Sequence, residues 1–89
     1  MADRYLEITF REGRPFAAYL YLQRTPGAKS ARTEAVGAGL IVDYGRDGSP
    51  IGLEITAPGQ ISFDEINAAL DRLGQPRLTA GESAPLAAA

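Results

Sequence analysis

Cysteine and histidine are both absent from this 89-residue sequence. Without cysteine the chain can form no disulfide and has no thiolate nucleophile, and this absence fits a reducing compartment. Without histidine it lacks the commonest metal ligand and the side chain best suited to acid–base catalysis near neutral pH. These absences argue against an enzyme, and we predict a non-enzymatic protein without catalytic residues or a cofactor.

Long apolar runs are also absent. No stretch approaches the roughly 18 consecutive apolar residues that a membrane-spanning helix needs. The N-terminal residues, Met1–Arg4, lead directly into an alternating pattern, without the basic segment and apolar run of a signal peptide. We therefore expect a cytoplasmic protein that has no membrane partner.

Positive charge is scarce and scattered. Nine Lys and Arg residues stand against eleven Asp and Glu residues, which gives a net charge of −2. Nucleic-acid-binding proteins usually concentrate positive charge on one face or helix to displace phosphate counterions. Only a loop segment with Arg24, Lys29 and Arg32 resembles such a patch. We predict a solvated loop there and no nucleic-acid partner; binding of a single strand by this patch and nearby tyrosines ranks last among the alternatives.

The length of the chain suits one domain and is too short for two. A domain of this size buries only about 60% of the surface that its unfolded chain exposes, so it is marginally stable alone. Small domains of this kind rely on disulfides, metals or association with partners. Because the composition removes disulfides and the commonest metal ligand, we predict a homo-oligomer, in its simplest form a dimer.

Alternation of apolar and polar residues predicts a first β-hairpin. Tyr5–Arg11 and Phe16–Gln23 both alternate, and the intervening segment contains glycine and proline. Parity favours a three-residue loop, Glu12–Arg14, with Gly13 in the left-handed conformation. In this register the core receives Leu6, Ile8, Phe10, Phe16, Ala18, Leu20 and Leu22.

A second hairpin is predicted around the Asp47-Gly48 turn, which is the strongest short turn signal in the chain. It joins Leu40–Tyr44 to Ile51–Ile55. Arg32–Val36 is predicted as a short additional strand, and the glycines that follow it favour a bend or bulge. The sheet is therefore expected to contain four to five strands.

One helix follows the sheet. Ser62 and Glu65 have the spacing of a capping box, and Gly74 is suited to end the helix. Its apolar residues recur with helical spacing and form one stripe: Phe63, Ile66, Leu70 and Leu73.

Together these elements predict an α+β fold, an antiparallel β-meander of two hairpins with one C-terminal α-helix packed on it. Residues 1–78 are expected to form this single domain. The final segment, residues 79–89, is rich in alanine and lacks an apolar period, so it is predicted to be a disordered tail.

The second hairpin also resembles a known family. The residues that show this resemblance are Gly39-Leu40-Ile41-Val42-Asp43-Tyr44, Asp47-Gly48 and Ile51-Gly52-Leu53-Glu54-Ile55. They resemble a family of short bacterial proteins known as domain of unknown function 2283, and the likeness extends over residues 5–56. The family's first hairpin commonly carries acidic residues at two places where this chain has Phe10-Arg11 and Pro15. The resemblance implies the fold, and it implies no functional residue.

Three tyrosines are the best candidates for a binding surface. In the favoured register Tyr5, Tyr19 and Tyr21 lie on the face of the sheet away from the core. Exposed aromatic residues on a sheet stiffen it by cross-strand pairing, form protein interfaces or stack nucleic-acid bases. Because clustered basic residues are missing, we predict contact with protein, either a second copy or another protein.

Asp43 and Glu54 form a second candidate site. They come from paired strands, and alternation places both on the face opposite Leu53 and Ile55. Two carboxylates can bind a divalent cation or a small ligand, or divide acid and base roles. A third ligand is not evident in the sequence, so we predict no metal and treat this site as the alternative reading.

Overall fold

The structure is a computed structural model that describes residues 4–22, 27 and 29–88, with side chains up to residue 86. In these ranges it contains five strands, two α-helices and a short 3-10 turn. They are β1 (Tyr5–Arg11), β2 (Arg14–Tyr21), β3 (Arg32–Gly37), β4 (Leu40–Tyr44), β5 (Pro50–Ile55), the 3-10 turn (Pro58–Gln60), α1 (Phe63–Arg72) and α2 (Ala80–Ala88). The predicted α+β class with an antiparallel sheet is confirmed.

The strands form one sheet in the order β1-β2-β5-β4-β3, with every neighbouring pair antiparallel. The prediction of a simple meander was wrong, because β3 lies at the far edge and the chain returns through β4 to β5, which pairs with β2. This order places β5, the most buried of the five strands, between two partners. Local hairpin signals do not encode that choice, since it depends on burial over the whole sheet.

The hydrophobic core lies between one face of the sheet, the inner face, and the two helices. Leu53 of β5 is at its centre and pairs with Leu20 of β2 and Val42 of β4; all three are fully buried. Ile66 of α1 and Leu86 of α2 pack against this layer.

The first hairpin turns through two residues rather than the three that were predicted. Glu12 and Gly13 have φ angles of 53° and 77°, as a two-residue type I′ turn requires. The odd residue that parity demands is Phe16, which forms a β-bulge because Thr9 pairs with Ala17 whereas the next residue of β1 pairs with Pro15.

The bulge keeps the predicted register for most of the hairpin but not at its tip. Leu20 pairs with Leu6 and is buried, as expected. Phe10 and Phe16 were expected in the core, and they are 57% and 49% exposed. Phe16 is the residue of the bulge and its ring contacts the Arg11 guanidinium, so the alternation that predicted both rings in the core does not hold at the tip of the hairpin.

Helix α1 confirms the predicted capping box. The Ser62 side chain accepts from the Glu65 backbone N–H at 3.1 Å, and the Glu65 carboxylate accepts from the Ser62 N–H at 3.3 Å. Ile66 and Leu70 are buried, whereas Phe63 at the start of the stripe is 39% exposed. Gly74, with a φ of 69°, follows the last helical residues as predicted.

The prediction of a single C-terminal helix was wrong. A second helix, α2, occupies most of the segment for which composition predicted a disordered tail. Its Leu86 joins the hydrophobic core, and its Glu82 accepts two hydrogen bonds from the Arg4 guanidinium, at 2.6 and 2.7 Å. These tertiary contacts supply the stability that its weak amphipathic pattern does not.

No helix in the part of the chain that the structure describes is long and apolar enough to cross a membrane.

Candidate functional site

The face of the sheet away from the helices, the outer face, has no helix of the described chain packed on it. The pairing register and the alternation along each strand, which the bulge at Phe16 interrupts, define its side chains. Its members are Tyr5, Glu7, Thr9 and Arg11 of β1, Arg14, Ala17, Tyr19 and Tyr21 of β2, Thr33 and Ala35 of β3, Ile41 and Asp43 of β4, and Gly52 and Glu54 of β5.

The three predicted tyrosines come together on this face. Tyr5 and Tyr21 are cross-strand neighbours whose rings stack, with centroids 4.4 Å apart and an interplanar angle of 14°. The Tyr19 ring lies 4.6 Å from Tyr21 at a tilt of 53°. Tyr5 remains 50% exposed. The rings hold one another in place, so they form an ordered aromatic surface before any partner binds.

Gly52 is the residue that lets Tyr19 lie flat across the sheet. The phenol of Tyr19 covers Gly52, and a Cβ at position 52 would overlap it. In this position the Tyr19 hydroxyl donates a hydrogen bond to the Asp43 carboxylate, two strands away. Sequence reasoning missed Gly52; its signal was a glycine inside an apolar strand, which often marks close approach of another group.

The carboxylates Asp43 and Glu54 share the outer face, as alternation predicted. They are diagonal neighbours, because Asp43 pairs with Gly52 and Glu54 pairs with Ile41. Asp43 is already engaged by Tyr19. The described residues contain no group of three or more carboxylate, imidazole or thiol side chains that could hold a metal ion. Among the described residues, the fold therefore brings no third ligand to Asp43 and Glu54 for the alternative of a cation site.

A third carboxylate joins Glu54 in one row across the sheet. Glu7 of β1 and Glu54 of β5 are both paired with Tyr19, one on each side of it. Glu7 also accepts a hydrogen bond of 3.4 Å from the Tyr21 hydroxyl. The acidic side chains therefore surround the aromatic cluster rather than forming a separate pocket.

Positive charge occupies the other end of the outer face. Arg11 and Arg14 are cross-strand partners beside the hairpin turn, and the Arg11 guanidinium lies 4.3 Å from the centroid of the Phe16 ring. Arg11 lies four positions after Glu7 in β1, which corresponds to about 13 Å along the strand. The outer face is acidic and aromatic at one end and basic at the other.

The loop patch considered for nucleic acid does not join this face. Arg24 lies outside the described residues. Arg32 contacts the Tyr44 ring at 4.0 Å and forms an ion pair with Glu34 at 3.3 Å. By alternation Arg32 lies on the face opposite Thr33, and therefore on the face opposite Tyr5, Tyr19 and Tyr21.

Comparison with family models identifies the central part of the chain. Residues 17–57 match the model of a protein of unknown function, DUF2283. Over these residues the chain is similar to that family. The match confirms the resemblance of the second hairpin. The matched segment runs from Ala17, inside β2, past the end of β5 and so includes Tyr19, Tyr21, Asp43, Gly52 and Glu54. Comparisons with curated proteins and with solved structures found no match.

Proposed function

We propose that this protein is a non-enzymatic module that works by protein–protein contact, and that a second copy of the chain binds to its outer face. The observation that best supports this proposal is the ordered cluster of Tyr5, Tyr19 and Tyr21 on a sheet face that no described helix covers. Tyrosines combine a large apolar surface with a polar group and lose little conformational entropy on binding, so they are enriched at protein interfaces.

The size of the face supports a weak but specific interface. Five strands spaced about 4.8 Å apart and about 20 Å long give a flat area of roughly 500 Å² per copy. Two such faces approach the lower bound of about 1,000 Å² for a specific interface. Association would also bury apolar surface on the side of the sheet that the single core leaves open, which adds stability that a chain of this length needs.

The composition supports the non-enzymatic part of the proposal. The chain has no histidine or cysteine, and the candidate acid Asp43 accepts a hydrogen bond from Tyr19. A carboxylate placed in this way orients an aromatic side chain. The arrangement favours recognition over acid–base chemistry.

The test is sedimentation of the purified protein over a dilution series from high micromolar to nanomolar concentration. We expect a concentration-dependent dimer. Replacing Tyr19→Ala together with Tyr21→Ala should weaken assembly more than folding, because the rings lie on the surface and not in the core. Phe63→Ala is the matched control, since it removes a half-exposed aromatic ring on the helical side.

Thermal melting of each variant measures folding separately. A wild-type protein that stays monomeric at every concentration would contradict the proposal. An equal loss of assembly and stability in the tyrosine variant would show that the cluster only stiffens the sheet.

A further inference from the structure

We infer that the second copy binds the outer face turned end for end, about a two-fold axis perpendicular to the strands, so that Arg11 and Arg14 of each copy lie opposite Glu7 and Glu54 of the other. This inference rests on the proposed function and specifies the orientation of the partner. Its basis is the distribution of charge along the first hairpin.

Acidic and basic side chains on the outer face form separate rows. Glu7 and Glu54 flank Tyr19 in one row, and Arg11 and Arg14 pair in another, near the turn. A two-fold axis parallel to the strands and passing through the first hairpin would place like charges opposite each other. Turning one copy end for end places each basic row over the partner's acidic row.

The residues between the two rows are small. Thr9 and Ala17 pair midway between the acidic and the basic row. An axis that exchanges the two rows passes near this pair, where short side chains let the two sheets approach closely. Because β4 and β5 end beside this row, the overlap is centred on β1 and β2 and is smaller than the whole outer face. The same operation places the partner's hairpin turn over Tyr5 and Tyr21, so the aromatic cluster is covered as well.

Among the described residues the charged side chains of these rows form no ion pair; Glu7 accepts a hydrogen bond from Tyr21, and Arg11 contacts the Phe16 ring. The ion pairs formed among the described residues are Arg4–Glu82, Arg32–Glu34 and Arg77–Asp71. The charged residues of the two rows take part in none of these pairs. Because a two-fold interface repeats every contact, both rows find an opposite charge at once, and the assembly closes as a dimer.

Charges at the rim of an interface set orientation and exclude wrong partners more than they raise affinity. Reversing one row should therefore weaken the dimer selectively. We take Arg11→Glu with Arg14→Glu as the acidic variant and Glu7→Arg with Glu54→Arg as the basic variant. The dimer of each variant alone should dissociate with a Kd about tenfold higher than that of the wild type.

The weakening of each variant alone tests the orientation, and sedimentation of an equimolar mixture of the two variants tests whether charge causes that weakening. In the end-for-end arrangement a heterodimer of the acidic and basic variants has opposite charges at both contacts, so mixing should restore a dimer. The matched control for the acidic variant is Arg46→Glu with Arg72→Glu, which makes the same change of net charge away from the outer face and should leave the dimer unchanged.

The outcomes separate this inference from the proposed function. A wild-type dimer that depends on the tyrosines but is unaffected by either charge reversal would overturn the orientation and leave the interface intact. Two weakened variants that do not recover on mixing would overturn it too. If a reversal prevents folding, the neutral variants Arg11→Gln with Arg14→Gln and Glu7→Gln with Glu54→Gln replace it. Those variants should abolish the weakening of the dimer by added salt, and a dimer whose salt dependence persists in them would contradict the inference.

Discussion

At the scale of single residues, Gly52 and Tyr19 determine the shape of the outer face. Tyr19 pairs with Glu54, but its ring lies over Gly52 and reaches Asp43. One missing side chain thus creates the space in which another is held. The hydrogen bond to Asp43 fixes the phenol against the backbone, so the aromatic cluster has one preferred arrangement.

Replacement of Gly52 by alanine should destabilise the protein. The new Cβ overlaps the Tyr19 phenol, so the ring must leave both the strand and Asp43. Overpacking of this kind costs about 1–3 kcal/mol, and urea unfolding measures it. In a Tyr19→Ala background the cost of Gly52→Ala should largely disappear.

Gly59→Ala serves as the control for that cycle, because a Cβ at position 59 meets nothing within 4 Å. Its effect on the free energy of unfolding should stay within about 0.5 kcal/mol. An equal cost of Gly52→Ala with and without Tyr19 would show that the steric contact is not the cause.

At the scale of elements, α2 shows how a short segment gains order from its surroundings. Its N-terminus has a capping box: the Glu82 backbone N–H donates to the Thr79 hydroxyl at 3.2 Å, and the Thr79 N–H donates to the Glu82 carboxylate at 2.9 Å. The spacing Thr79-x-x-Glu82 was the signal available in the sequence. The alanine-rich composition concealed this signal, since Leu86 is the only described side chain of α2 that enters the core.

Leu86→Ala should therefore destabilise the whole domain, by about 2 kcal/mol or more. Chemical denaturation monitored by circular dichroism gives the free energy of unfolding. A disordered tail would predict no change, so a loss below a few tenths of a kcal/mol would contradict the docking of α2. Ser62→Ala, which removes the α1 cap, is a useful comparison, because it should lower the free energy of unfolding by about 1 kcal/mol.

At the scale of the whole molecule, one charged contact joins the two ends of the described chain. Arg4, beside the first strand, donates to the Glu82 carboxylate of the last helix and to the backbone carbonyls of Pro76 and Arg77. The two side chains are largely buried, with 12% and 18% exposure. The contact holds α2 and the segment before it against the edge of the sheet.

This contact should make stability depend on pH at the acidic end. The hydrogen bonds from Arg4 lower the pKa of Glu82 from 4.5 to about 2. Because the folded pKa lies below the unfolded one, the contribution is complete above about pH 4.5 and is lost as the pH falls through about 2. Allowing for solvent screening, we expect Glu82→Gln to cost about 1–2 kcal/mol at neutral pH.

Urea unfolding of wild type, Glu82→Gln, Arg4→Gln and the double variant at neutral and at strongly acidic pH measures this dependence. The double variant should lose little more than either single variant, because each single change already breaks the pair. A wild-type protein and a Glu82→Gln variant that respond identically to acid would refute the assignment.

Local signals predicted much of the fold. The positions of the two turns, the capping box of α1 and the alternation of the strands each depend on neighbouring residues. Leu20 and Leu53 could therefore be placed in the core and Tyr19 and Tyr21 on the opposite face, although the first turn has two residues and not the predicted three. The bulge at Phe16 was missed, because parity required an extra residue but could not locate it in the strand rather than the turn.

The sequence by itself determined the fold class, the strand faces and the position of the candidate tyrosines, because alternation and turn chemistry act over a few residues. Only the tertiary structure decided that β5 lies between β2 and β4, that α2 docks through Leu86, and that Tyr19 covers Gly52. Those features join residues distant in the chain, and their free energy comes from burial and packing that no local pattern records.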